Sequence, residues 1–137
     1  MWDDVGLSIR VRYYVKDTAV INEPFYHYNR INMTSTTKRP LLDRVKEQVA
    51  CVNHIENFFK NENALEQYAL FVSYLKLHTK EEIFSYDANL WLNTFREAHK
   101  DIWRLRDKFR SKYVRRYYVL IYGGLLGKFI WRKFWKK

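Results

Sequence analysis

Cys51 and His54 stand three residues apart, a spacing that places a thiol and an imidazole on one face of a helix, within reach of the same metal ion. Two ligands do not make a zinc site. The other histidines, His27, His78 and His99, form no close ligand pair with them or with one another. The pair is therefore expected as a buried thiol beside a helix histidine. Cys51 is the only cysteine, which excludes an internal disulfide and a cysteine zinc set, and points weakly to a reducing or matrix-like compartment. HExxH, GxSxG, GxGxxG and P-loop patterns are missing from the sequence. Gly123, Gly124 and Gly127 share only their glycine content with a phosphate loop, because they follow a helical approach rather than a strand and sit among apolar residues. The carboxylate pairs Asp3–Asp4 and Glu81–Glu82 read as solvated, with no nucleophile–base pair. The expectation is a protein that is not an enzyme: no catalytic residue, no cofactor, no metal and no small-molecule substrate.

With chemistry set aside, charge organises the chain. Residues 100–137 hold 13 of the 25 Lys and Arg residues and two of the 15 acids, a surplus of 11. Residues 1–99 hold 12 cations against 13 acids. Inside the basic end lies an apolar run, Tyr117 to Trp131, with Arg115 and Arg116 before it and Arg132 and Lys133 after it. Such a run is either a short transmembrane helix or a helix lying in the interface of an anionic membrane. Fifteen residues at helical rise cover roughly 22 Å, short of the ~30 Å hydrocarbon layer, so a span needs local thinning or snorkelling. Lys128, one turn before Arg132, has a stem long enough to reach the same headgroup plane. The expected membrane-interface residues are Arg115, Arg116, Tyr117, Tyr118, Lys128, Trp131, Arg132, Lys133 and Trp135. Five cations on each side of the run leave the positive-inside comparison balanced.

Gly123 and Gly127 are four apart, with Leu120 one turn earlier on the same face. Small residues at that spacing let a second helix backbone approach closely, which makes Leu120, Gly123 and Gly127 candidate helix-packing residues. Two other readings stand beside it: the glycines loosen the helix, or Gly123-Gly124 marks a break between two short helices.

The remaining elements follow from periodicity. Leu7, Ile9, Val11, Tyr13 and Val15 alternate with Ser8, Arg10, Arg12 and Tyr14, a strand pattern without a second strand to pair with. Pro24 and the polar run 32–37 continue the irregular character, and Asn32-Met33-Thr34 matches a glycosylation acceptor by chance frequency. Residues 1–37 are thus expected as an extended arm laid on a neighbour, with at most one short strand. The opening Met1-Trp2-Asp3-Asp4 resembles neither a secretory signal nor an Arg-rich transit sequence, so targeting is expected to be internal or already removed.

From Pro40, with Thr37 or a neighbour as cap, Leu41, Val45, Val49, Val52, Ile55 and Phe59 give one apolar face through Lys60. A second helix covers about Ala64 to Leu77, and Thr79-x-x-Glu82 has capping-box spacing for a third segment. Trp91, Phe95, Ala98, Ile102, Leu105 and Phe109 recur at 4, 3, 4, 3 and 4. This seam predicts packing against the earlier helices or a partner-contact surface through Trp91, Phe95, Ile102, Leu105 and Phe109. With no breaker between Trp91 and Tyr122, the expectation is one long helix running into the apolar segment.

The fold class expected is mostly α: a small helical bundle (38–112), preceded by the arm (1–37) and followed by a basic-flanked membrane-anchoring segment and tail (113–137). Eighteen per cent aromatic residues exceed what a small soluble core needs, and interfaces are where such rings accumulate. The function expected is a non-catalytic accessory subunit of a large membrane protein complex. The type fits a mitochondrial inner-membrane energy-transducing assembly, such as a respiratory-chain complex or ATP synthase. Its partners would be other subunits and anionic lipid. The alternative is an RNA-binding structural protein of a mitochondrial ribosome, since cations interleaved with Trp103, Tyr113, Tyr117, Tyr118 and Trp131 suit phosphate and base stacking. We place it second because Tyr117 to Gly127 carries no charge.

Overall fold

Leu41–Asn61 forms the longest helix because its apolar residues keep a 3–4 spacing, and Val45, Val52, Ile55 and Phe59 all end buried. The computed structural model describes residues 2–20, 22, 23 and 40–136, and it is mostly helical with no strand among them. Six α-helices run in order: α1 (Trp2–Tyr14), α2 (Leu41–Asn61), α3 (Leu65–Thr79), α4 (Ala88–Asn93), α5 (Ser111–Tyr122) and α6 (Gly124–Phe134). Two 3₁₀ turns, Arg96–Asp101 and Arg106–Lys108, lie between α4 and α5. Thr37, Pro24 and the Asn32–Thr34 tripeptide fall outside the described residues.

The expected strand at residues 7–15 is a helix. α1 lies on α2 with Gly6, Ile9 and Tyr13 turned inward, while Leu7, Val11 and Val15 stay exposed. Val5, Ile9 and Tyr13 are four apart as well as all odd-numbered, so the same residues satisfy a helical stripe and a strand alternation. Packing against a ready helix decides between them, since a lone strand has nothing to pair with. Tyr13 meets Phe58, Phe59 and Tyr68 edge-on, and Phe59 stacks on Tyr68 with centroids 4.4 Å apart. α1, α2 and α3 enclose this smaller core.

The expected long helix from Trp91 to Tyr122 is also overturned. α4 stops at Asn93, Thr94 is extended and Phe95 is left-handed (φ 49°), after which the chain proceeds in 3₁₀ turns. In a continuing helix the Thr94 carbonyl would accept from the Ala98 amide. Here it accepts from Lys80 Nζ at 2.5 Å, and the Ala98 amide donates to Phe95 O instead. The Thr79-x-x-Glu82 box starts no helix either. Thr79 closes α3, residues 80–86 form turns, and α4 is capped by Asp87, whose Oδ1 accepts from the amides of Asn89 and Leu90.

The seam still turns inward. Trp91, Ile102, Leu105 and Phe109 are buried and Phe95 is half-buried, all within the main core beside Leu77, Ile83 and Phe84. They cover one another and α3, so the seam proposed for a partner is spent inside the chain.

Candidate interaction surface

Residues 111–134 fold back on themselves. α5 and α6 are joined at Gly123–Gly124, and Gly124 adopts φ +52°, a conformation that a side chain would strain. At Gly127 the helices nearly touch: a Cβ there would lie 2.3 Å from Val119 O and 3.4 Å from Leu120 Cα. Leu120, Gly123 and Gly127 therefore seat a helix, but it is the chain's own α6 against α5, and the glycine pair marks the break between two short helices. Lower in the hairpin the Arg116 guanidinium lies 5.5 Å from the Trp135 ring, so the two helices run antiparallel.

The base of the hairpin is bolted to the core. Trp131 Nε1 donates to the Phe84 carbonyl, and Trp131 and Tyr117 are buried. Tyr117 packs on Trp91 with centroids 4.8 Å apart and on Phe84 at 5.1 Å. Burial raises the Tyr117 phenol far above its ordinary value. Two of the expected interface residues, Tyr117 and Trp131, are thus core residues. Arg116 and Trp135 are half-buried against each other, whereas Arg115, Tyr118, Lys128, Arg132 and Lys133 are exposed. No helix among the described residues is long and apolar enough to cross a membrane.

Most of the large apolar residues that the hairpin exposes lie at its closed end, with Phe134, 67% exposed, at the open end. Leu125 is 88% exposed, Leu126 66%, Phe129 62% and Tyr122 61%. Tyr118 and Tyr122 lie 4.4 Å apart, and exposed Trp103 meets Tyr118 edge-on at 6.2 Å with the Arg106 guanidinium 5.0 Å from the centre of the Trp103 ring. An aromatic ladder therefore climbs one side of the hairpin to its apex. Among the described residues Arg115, Lys128 and Arg132 have no ion-pair or hydrogen-bond partner. Exposed apolar groups of this size and continuity are informative in a way that isolated surface leucines are not.

The second unusual place is internal. Lys80 is fully buried, its Nζ 2.5 Å from both Thr94 O and His99 Nε2 and 4.1 Å from the centre of the Trp91 ring. His99 stacks on the other part of this assembly, its ring 5.0 Å from Trp91 and nearly parallel to it. Burial pulls the Lys80 ammonium down to about 7, and burial together with the Lys80 charge pulls His99 down to about 4. One turn earlier Lys76 is clasped at 2.8 Å by Glu56 and at 2.8 Å by Glu97. Burial opposes its charge, but those two hydrogen bonds outweigh it, so Lys76 is raised and both carboxylates are lowered. Ser73 donates to Asp101 at 2.7 Å. These groups tie α3 to the 96–101 turn. Lys80 is fully buried and lines none of the four larger grooves among the described residues, so an amine near neutrality does not by itself provide a reaction centre.

No protein-family model matches the chain, and no curated protein or solved structure matches it either.

Cys51 and His54 line a groove of about 640 Å³ between α1 and α2, together with Gly6, Arg10 and Glu47. Cys51 is buried and His54 exposed; a Cβ on Gly6 would lie 3.1 Å from Cys51 Sγ, so the thiol acts as a spacer between helices. Among the described residues no group of three or more His, Cys, Asp or Glu is placed to hold a metal ion. Sequence reasoning missed Lys80 and His99, which are 19 residues apart and carry no local signal. Leu125, Leu126 and Phe129 lie inside the run expected to meet a membrane but were not singled out as its exposed residues. The chain break at Gly123-Gly124 was the one feature from which their exposure could have been read.

Proposed function

We propose that this chain is a non-catalytic accessory subunit of a membrane protein assembly, held at an anionic membrane surface by the closed end of its α5–α6 hairpin. The observation that carries the reading is the exposed apolar apex, Tyr122, Leu125, Leu126 and Phe129, beside cations that nothing among the described residues neutralises. A second exposed stripe, Leu7, Val11 and Val15 on the outer side of α1, supports contact with a neighbouring subunit. A mitochondrial inner membrane carrying an energy-transducing complex is the location we propose, on the type of the protein. Lys76 is paired with Glu56 and Glu97, and the Lys80 amine is hydrogen-bonded to Thr94 O and His99, which supports an architectural role for them.

Fractionation tests this. The protein should stay with membranes in alkaline carbonate, enter solution with detergent, and co-purify with other subunits. Release by high salt or nuclease would overturn the reading in favour of the second one, an RNA-bound structural protein. That alternative draws on the Arg106–Trp103–Tyr118–Tyr122 ladder, which has the composition of a base-stacking platform.

A further inference from the structure

We propose that the α5–α6 apex is a monotopic wedge: it enters one leaflet of an anionic membrane and stops at a collar of cations, without crossing. This rests on the membrane reading above and gives it a depth, an orientation and a lipid class. α5 and α6 are antiparallel and close at Gly123–Gly124, so distance from that turn measures distance from the tip. Leu125, Leu126 and Phe129 lie within the first ~8 Å of α6, and Tyr122 ends α5 at the same level. Arg132 and Lys133 follow about 12–14 Å from the turn, and Arg115 lies at about 11 Å on the other helix. The apolar cap therefore matches the ~5–10 Å to which interfacial elements sink, and the cations fall where phosphates begin.

Lys128 is the one charge within the cap level, and its four-carbon stem reaches back toward the collar. Tyr118 and Trp103 come next along the ladder, the amphipathic rings that settle at headgroup depth. The turn is partly hydrogen-bonded, the Gly123 amide donating to Val119 O and the Gly127 amide to Gly123 O, and the first-turn amides of α6 at Gly124, Leu125 and Leu126 are left for water and lipid ester oxygens, which an interfacial depth still supplies. The wedge cannot swing away from the body, since Trp131 holds its base on the Phe84 carbonyl. Charge complementarity selects anionic lipid, as the hairpin from 111 to 136 contains no carboxylate at all.

The test uses the full chain with Cys51→Ala and Leu126→Cys, labelled at the new thiol with an environment-sensitive fluorophore. It is mixed with phosphatidylcholine vesicles, with or without phosphatidylserine. Leu126 is exposed, so the label leaves the fold intact, which circular dichroism verifies. On anionic vesicles the emission should shift to the blue and be quenched by lipids brominated in the acyl chain. Arg115→Gln, Arg132→Gln and Lys133→Gln together should weaken binding on the order of a hundredfold. Leu125→Glu with Phe129→Glu should abolish acyl-chain quenching while the circular dichroism is unchanged. A label that stays in water on vesicle-bound protein would overturn the wedge but leave the membrane reading standing. So would a protein that ignores both vesicles yet needs detergent and co-purifies with other subunits, which would put protein over the apex. Release with nuclease, with single-stranded RNA displacing the vesicles, would overturn wedge and membrane reading together.

Discussion

The polar cluster around Lys80 and the apolar end of the α5–α6 hairpin are opposite violations of the same rule. One puts ammonium and imidazole groups inside, and the other puts leucine and phenylalanine outside. The inner violation is answered within the chain: Lys76 by Glu56 and Glu97, Lys80 by Thr94 O, His99 and the Trp91 face. The outer one is answered by nothing among the described residues. A misplaced group that has its partners in the fold serves the fold, whereas a large exposed apolar patch is a candidate contact surface. That contrast, rather than any motif, is what supports our proposal of architecture for the first region and contact for the second.

The sharpest way to break the contrast is to remove the ring on which the inner cluster rests. Trp91 is fully buried between Lys80, His99, Phe84 and Tyr117. Trp91→Ala should cost about 3–5 kcal/mol in denaturant unfolding. A cost under about 1 kcal/mol would show the cluster to be a passenger. Next comes the seat of the hairpin. Gly127→Ala drives a methyl against Val119 O and should cost about 1–3 kcal/mol, read as a lower melting temperature.

The inner cluster should also declare itself through pH. Lys80 falls from an ordinary 10.5 to about 7 in the fold, so between those values the unfolded chain holds more protons than the folded one. The Lys80 contribution to stability then rises as pH goes from 7 to 10.5, with its full penalty present below 7, and Tyr117, raised from 10.0, opposes it above about pH 10. His99, lowered from 6.5 to about 4, gives a rise of the same sign across pH 4 to 6.5. Glu97 favours the charged forms of both groups, while the Lys80 charge and then Arg96 oppose that of His99, so these set where in each window the folded group titrates. Lys80→Met should flatten the upper rise in melting temperature. An unchanged upper rise would mean that another group produces it. The smallest effect on stability belongs to the apex: Leu125→Ser with Leu126→Ser should move it by less than about 0.5 kcal/mol while membrane retention in carbonate falls. Loss of stability comparable to the Trp91 change would make the apex part of the core and dissolve the comparison.

The places where the sequence was legible are those decided by neighbours three or four residues away. The α2 face, the α3 helix and the inward turn of Trp91, Ile102, Leu105 and Phe109 all follow from spacing. What spacing could not show is that the last group would be buried along 3₁₀ turns, because the break at Thr94 is made by Lys80 from 14 residues away. α1 was ambiguous in principle, its inward residues fitting two periods at once, and contact with α2 settled it. For the hairpin, Gly123-Gly124 admitted a break or a close helix approach, and the fold uses both at once. Among the candidate interface residues, Arg115, Tyr118, Lys128, Arg132 and Lys133 keep to the surface. Tyr117 and Trp131 were drawn inward because Phe84 offers them a ring and a carbonyl.

At Gly127 the contact between two helices is made by a hydrogen atom where any other amino acid brings carbon. Every missense change of a glycine codon replaces that hydrogen with something larger. This position is therefore a point of low mutational tolerance lying beside one of high tolerance, the solvent-facing Leu125, whose bulk is greasy but unconfined. Divergent copies of the gene should drift freely among apolar residues at the second and hold still at the first.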